Sequence, residues 1–244
     1  MDVTAWHGMG FLPLIDDPAI RFLGRFTHRS VAFDSFVVGF IKLDLFKGAV
    51  LVAILCWLWF EFGPDLRRRR VLVIQTVLGA TLAGVISHAL QSILARPHSL
   101  NAASEFIQFG FLNADIDWMQ PLHSFPSDHA AFFAAIAMGI FLANRRWGMF
   151  AFVWSLVVID LPRIYAGAHY PSDVLAGVAL GILLTLAMAR PGAVAAEHML
   201  RWEKMHTASF YAVSFVALYE MARLFEELRL FGAMIWRSAR IVIA

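Results

Sequence analysis

Charge is scarce in this chain. Of its 244 residues only 16% are Asp, Glu, Lys or Arg, where a soluble domain carries about a quarter. So few charges argue against a water-facing globular fold. The formal net charge is only +2, too small for electrostatic nucleic-acid binding, and no nucleic-acid partner is expected. Cysteine occurs once, as Cys56. That excludes an intrachain disulfide and any Cys-rich metal site. Cys56 lies in an apolar run and reads as a buried membrane thiol. There is no internal repeat, low-complexity tract or linker, so one domain over 1–244 is expected. The opening "MDVTAWHGMGFLPLIDDPAIRF" lacks a basic stretch followed by an unbroken apolar core, and no cleavable signal peptide is expected.

Long apolar runs are what the chain has instead. Hydrophobic residues make up 60% and the mean hydropathy is +0.67. A spanning helix needs about 20 mainly apolar residues. Segments of that kind lie at 43–62, 71–94, 127–144, 148–168 and 171–189. A weaker sixth, 207–228, is interrupted by Glu220, Arg223, Glu226 and Glu227. Residues 28–42 alternate at helical spacing but are too short to span, and fit the interface. The expected fold is all-α: a polytopic membrane bundle of five to six helices with an interfacial N-terminal helix. An N-terminal segment (1–42), a five-helix core (43–189) and a C-terminal helix or helices (190–244) divide it.

Orientation follows from the basic residues. Arg67 to Arg70, then Arg145 and Arg146, then Arg190, Arg201 and Lys204 all fall on one side by parity. That side is read as cytoplasmic. The opposite face receives Arg96, then Ser127, Asp128 and His129, then Arg163, then His169 and Asp173. In a bacterial inner membrane it faces the periplasm or exterior.

Two arginines and two histidines near helix N-termini suit an anion. Helix starts offer unpaired N–H groups and a positive dipole end, and arginine recognises phosphate oxygens in bidentate fashion. In "HYPSD", Pro171 is well placed to begin a helix. Asp173, one turn on from His169, can reach the imidazole and fix its tautomer, leaving the other nitrogen to attack. His129 can protonate a departing oxygen. Arg96, Arg163 and the N–H groups near Ser127 can hold charge developing on phosphorus. No acidic cluster suited to Mg²⁺ accompanies them, so a metal-free, cofactor-free, two-step phosphoryl transfer is expected.

Three motifs make the chain resemble the type-2 phosphatidic acid phosphatase superfamily of membrane lipid phosphatases. The family's "KxxxxxxRP", "PSGH" and "SRxxxxxHxxxD" appear here as "AxxxxxxRP" ending at Arg96-Pro97, "PSDH" at Pro126 to His129, and "PRxxxxxHxxxD" from Pro162 to Asp173. The resemblance implies His169 as nucleophile, Asp173 as its orienter and His129 as general acid. It implies Arg96, Arg163 and Ser127 as phosphate ligands. "SFPSDHA" looks most like the undecaprenyl-diphosphatase branch, which implies a lipid phosphate or diphosphate substrate among membrane lipids. Ala89 and Pro162 depart from the family pattern, and Asp128 replaces its glycine. His88 or His98 is a candidate to supply the cation that Ala89 removes. Asp128 reads as a mark of substrate class.

Other readings stay open. "PSDH" alone is an ordinary helix cap, and arginine at the end of a span is an ordinary interface anchor. His88, His98 and His123 match no standard metal spacing and read as polar interface residues. Phe106, Phe109, Phe111, Trp118 and Met119 form either an aromatic belt or a wall for a lipid tail. A phosphotransferase on the same scaffold is a second function, motivated by Ala89. A non-catalytic anion transporter is a third. The oligomeric state is not readable from the sequence.

Overall fold

The structure, a computed structural model, describes residues 12–27, 29–41, 43, 45–94, 96, 123–225 and 234. Among them there is no strand. The helices are α1 (Leu12–Gly24), α2 (Val31–Ile41), α3 (Val50–Phe60), α4 (Leu66–Leu94), α5 (Asp128–Ala143), α6 (Arg145–Trp154), α7 (Leu161–Tyr165), α8 (Pro171–Ala187), α9 (Ala189–Met205) and α10 (Thr207–Ala222). A π-helical turn, Leu45–Ala49, leads into α3, and another, Ser155–Asp160, joins α6 to α7.

Helix α4 and the run Arg145–Tyr165 are long and apolar enough to cross a membrane. Helices α8 and α9 pass the same test together but are bent by 61° at their junction. The apolar segments expected at 43–62 and 127–144 are shorter helices, Phe46–Phe60 and Asp128–Ala143.

Three stretches outside the five apolar segments are helical. Arg67 to Arg70 open α4. Solvated arginines are good helix formers, and these have partners that hold the helix start: Arg67 reaches Glu197 at 2.8 Å and Arg70 reaches Glu203 at 3.1 Å. The charged stretch after the fifth apolar segment is likewise helix, α9. Residues 12–24, which the apolar pattern leaves unassigned, form α1 even with Pro18 inside it. The weaker sixth segment is helical as α10, and Glu226 and Glu227 lie outside the described residues.

Helix α5 sits at the centre, packed against α4, α6 and α8. Phe132, Phe133, Ile136 and Ile140 are fully buried on it, and so are Ala130, Ala131, Ala135 and Ala137. A helix apolar all round belongs inside the bundle. Lipid tails are as apolar as leucine, so helix association there depends on close packing by small residues. The α5–α8 crossing is built this way. A Cβ at Gly177 would lie 2.5 Å from the Ser127 carbonyl oxygen, and one at Gly181 would lie 2.1 Å from the Ala131 carbonyl oxygen. Gly177 and Gly181, four apart on α8, therefore set how near the two helices come. The phosphate-site candidates lie at the end of this crossing.

Candidate active site

The segment before α5 is fastened on both sides. Ser87 Oγ and Gln91 Nε2, both buried on α4, donate to the Pro126 carbonyl at 3.1 and 2.8 Å. Ser124 N donates to the Arg96 carbonyl at 2.8 Å, and Ser127 N to the Asp173 carbonyl at 3.0 Å. The Phe125–Pro126 peptide is cis. Ser127 is the N-cap of α5, its hydroxyl accepting from Ala130 N at 3.3 Å. The first turn of α5 thus begins where the start of α8 arrives.

His169 is buried just ahead of α8. Its Nδ1 lies 3.0 Å from the Ser124 carbonyl and 3.8 Å from Asp173 Oδ2. Because a carbonyl only accepts, Nδ1 is the donor of this bond, and in the neutral ring that tautomer puts the lone pair on Nε2. The Ser124 carbonyl is therefore the hydrogen-bonding partner, and Asp173 stands behind it at ion-pair range. Asp173 Oδ2 accepts from Tyr170 N at 2.8 Å, part of a capping box that starts α8.

Arg96 lies between two carboxylates. Nη1 pairs with Asp173 Oδ1 and also reaches Ser172 Oγ at 2.8 Å, while Nη2 pairs with Asp16 Oδ2 at 2.8 Å. The guanidinium stacks 3.9 Å from the Tyr170 ring centroid. Burial pushes the Tyr170 phenol up to about 12, so this platform stays neutral. Asp16, on α1, accepts from Ser172 N at 2.9 Å and Ser172 Oγ at 2.7 Å. It is almost fully buried, and the sequence reading missed it. The available signal was an acidic residue in an otherwise apolar stretch, "FLPLIDDPAI".

His129 lies on the first turn of α5. Asp128 Oδ1 accepts from His129 N at 2.8 Å and lies 2.8 Å from His129 Nδ1. Arg163 is buried on α7, and its charge acts on both Asp128 and His129. The π-helical turn Ser155–Asp160 precedes it, and Pro162 in the first turn suits a helix start, where no N–H is required. Arg163, His129, Asp128 and His169 are thus within electrostatic reach of one another, and Ser127 abuts them.

Not every candidate joins this group. Among the described residues no hydrogen bond or ion pair links His88 to it, and Ala89 is exposed. His98 and the residues 106–119 lie outside the described residues. Asp128, His129 and His169 offer donor atoms within 4.8 Å of one another, a spacing that could hold a metal ion. Asp128 Oδ1 and His129 Nδ1, however, are 2.8 Å apart, closer than the roughly 3.3 Å between neighbouring ligands of a tetrahedral zinc with bonds of about 2.0–2.1 Å. As placed, these two atoms hydrogen-bond to each other rather than share an ion.

Residues 69–191 match the model of the PAP2 superfamily. YbjG of Escherichia coli strain K12, provisionally named an undecaprenyl-diphosphatase, is 30% identical over 59% of this chain and 66% of its own length. The undecaprenyl-diphosphatase BcrC of Bacillus subtilis strain 168 is 30% identical over 65% of this chain and 74% of its own. A lipid A 1-phosphatase of Rhizobium johnstonii is 34% identical over 43% of each chain. Among solved structures, Aquifex aeolicus LpxE shares the fold, with a TM-score of 0.51 at 24% identity over 71% of this chain and 93% of that one. The three motifs fall within the matched residues, and their side chains meet at one end of the α5–α8 crossing. The chain is an all-α integral membrane protein and belongs to the PAP2 superfamily.

Proposed function

We propose that this protein hydrolyses a lipid phosphate or diphosphate without a metal, through a phosphohistidine at His169, and that undecaprenyl diphosphate is its substrate. The observation that carries the reading is the 3.0 Å contact of His169 Nδ1 with the Ser124 carbonyl. It puts the ring proton on Nδ1 and so makes Nε2 the attacking nitrogen, at the mouth of two helix N-termini. Asp173, 3.8 Å from the same nitrogen, supplies the negative charge that offsets the positive charge the ring gains on attack.

In the first half-reaction His169 Nε2 forms a bond to phosphorus as the phosphorus–oxygen bond to the leaving group breaks. His129 Nε2–H gives its proton to that oxygen. In the second, a water oxygen attacks phosphorus while neutral His129 takes its proton. The N–P bond breaks, inorganic phosphate leaves and His169 is restored. Arg163, with Ser127 beside it at the start of α5, holds the phosphoryl oxygens. Arg96 adds positive charge from its place between Asp16 and Asp173. Undecaprenyl diphosphate is favoured by "PSDH" and by two relatives that bear that enzyme name. The active face is assigned to the periplasm or exterior, opposite the Arg67 to Arg70 end of α4, and the whole chain to one phosphatase domain.

The test is inorganic phosphate release from undecaprenyl diphosphate in detergent with EDTA present. His169→Ala should abolish it, and a phosphoenzyme should be trapped in the native protein. Turnover by His169→Ala sinks the nucleophile assignment, and loss of activity in EDTA sinks the metal-free one. The second reading, a phosphotransferase, rests on Ala89 in place of a lysine. Labelled donor distinguishes the two, because only a transferase passes its phosphate to a lipid or sugar acceptor.

A further inference from the structure

We infer that Asp128 is the positioning residue of the general acid: its carboxylate holds the His129 ring so that Nε2–H points at the leaving oxygen. The inference rests on the phosphohistidine reading above and concerns its proton donor.

Three observations separate this from an ordinary cap. The N-cap role at this helix start is already filled by Ser127, whose hydroxyl accepts from Ala130 N. Asp128 Oδ1 instead binds its neighbour twice, at the backbone N–H and at ring Nδ1, both at 2.8 Å. One oxygen shared between those two groups fixes the ring's rotation about its own backbone. Both side chains are also largely withdrawn from solvent, at 10% exposed for Asp128 and 13% for His129, so water competes little for the bond.

The surroundings give the carboxylate a purpose. Arg163 and Lys47 are the positive charges that bear on His129, and His169 and Arg163 bear on Asp128. Lys47 comes from the π-helical turn Leu45–Ala49, which packs against the turn Ser155–Asp160. The imidazolium that an acid must be adds a third positive charge to these two cations. Asp128 is the anion placed to offset them. It also assigns the two ring nitrogens: Nδ1–H stays with Asp128 through the cycle, and Nε2–H is the proton that moves.

A general acid matters in proportion to how poor the leaving group is, and contributes about 10²–10⁴-fold where it is needed. The test uses the full chain in detergent with three soluble substrates: p-nitrophenyl, phenyl and hexyl phosphate. It reads kcat/KM, which reports phosphoenzyme formation. Asp128→Asn should lose about threefold with the nitrophenolate leaving group and about a hundredfold with the alkoxide. His129→Ala should show the same steepening, and the double variant no more than His129→Ala alone. An equal loss across the three substrates, or no loss at all, overturns the inference, because a merely structural residue would slow all three alike. If Asp128→Asn does not fold, as read by thermal unfolding, Asp128→Gly takes its place with the same expected slope. Failure of the underlying reading looks different: His169→Ala would then still release phosphate from all three.

Discussion

Gly181→Ala is the sharpest test of how the site is assembled. The added Cβ would lie 2.1 Å from the Ala131 carbonyl oxygen. A tolerable C···O contact is about 3.3 Å or more. Backbone cannot step aside as a side-chain tip can, so α8 must move from α5 by roughly 1.2 Å, the difference between those distances. That motion separates the halves of the site, because Ser127 and His129 ride on α5 while His169 and Asp173 ride with α8. A misplacement of about 1 Å can cost a hundredfold in rate, and overpacking costs about 1–3 kcal/mol in stability. The expected result is a fall of about a hundredfold in kcat for phosphate release, with a folded protein and a modestly lower thermal midpoint. Gly39→Ala is the control: nothing lies within 4 Å of its added Cβ, so it should match the native enzyme. Native kcat in Gly181→Ala would refute the reasoning, as would an equal loss in Gly39→Ala.

Two further outcomes bear on the charges. Asp16→Ala strips one carboxylate from a buried network in which Asp16 is 3% and Arg96 6% exposed; removing one partner of such a pair costs about 3–5 kcal/mol, and thermal unfolding in detergent should show a midpoint lower by about 10 °C. Arg67→Ala breaks a pair whose members are 77% and 40% exposed, worth about 1 kcal/mol or less, so its midpoint should stay within about 3 °C of native.

The parts of this architecture that were legible in sequence are the local ones. His169 and Asp173 sit one turn apart, and Pro171 between them marks the helix start, so their neighbourhood follows from spacing alone. Helix parity was enough to bring Arg96, His129 and Arg163 to the same face. Asp128 and His129 are adjacent in sequence, yet adjacency did not reveal that the carboxylate turns back onto the ring, because a helix-start aspartate has a cap role by default. Gly177 and Gly181 stand at a recognised spacing but carry meaning only once α5 lies against them. The helical start at Arg67 to Arg70 is not legible in the apolar pattern, because the acidic partners of Arg67 and Arg70 lie 130 and 133 residues further on. Asp16 shows as an acid in an apolar stretch, but its partner Ser172 is equally remote, 156 residues on.

That distance has a consequence for how the protein is made. Asp16 and Ser172 are 156 residues apart, and synthesis proceeds at about 5–20 residues per second. A nascent chain therefore carries Asp16 for about 8–30 s before its partner exists. Arg96 appears partway through that wait and Asp173 at its end. The network closes only after the last motif has emerged, so a prematurely terminated chain keeps Arg96 and the "PSDH" segment but never assembles the cradle. Helix α1 therefore cannot dock against α8 until the third motif has been made.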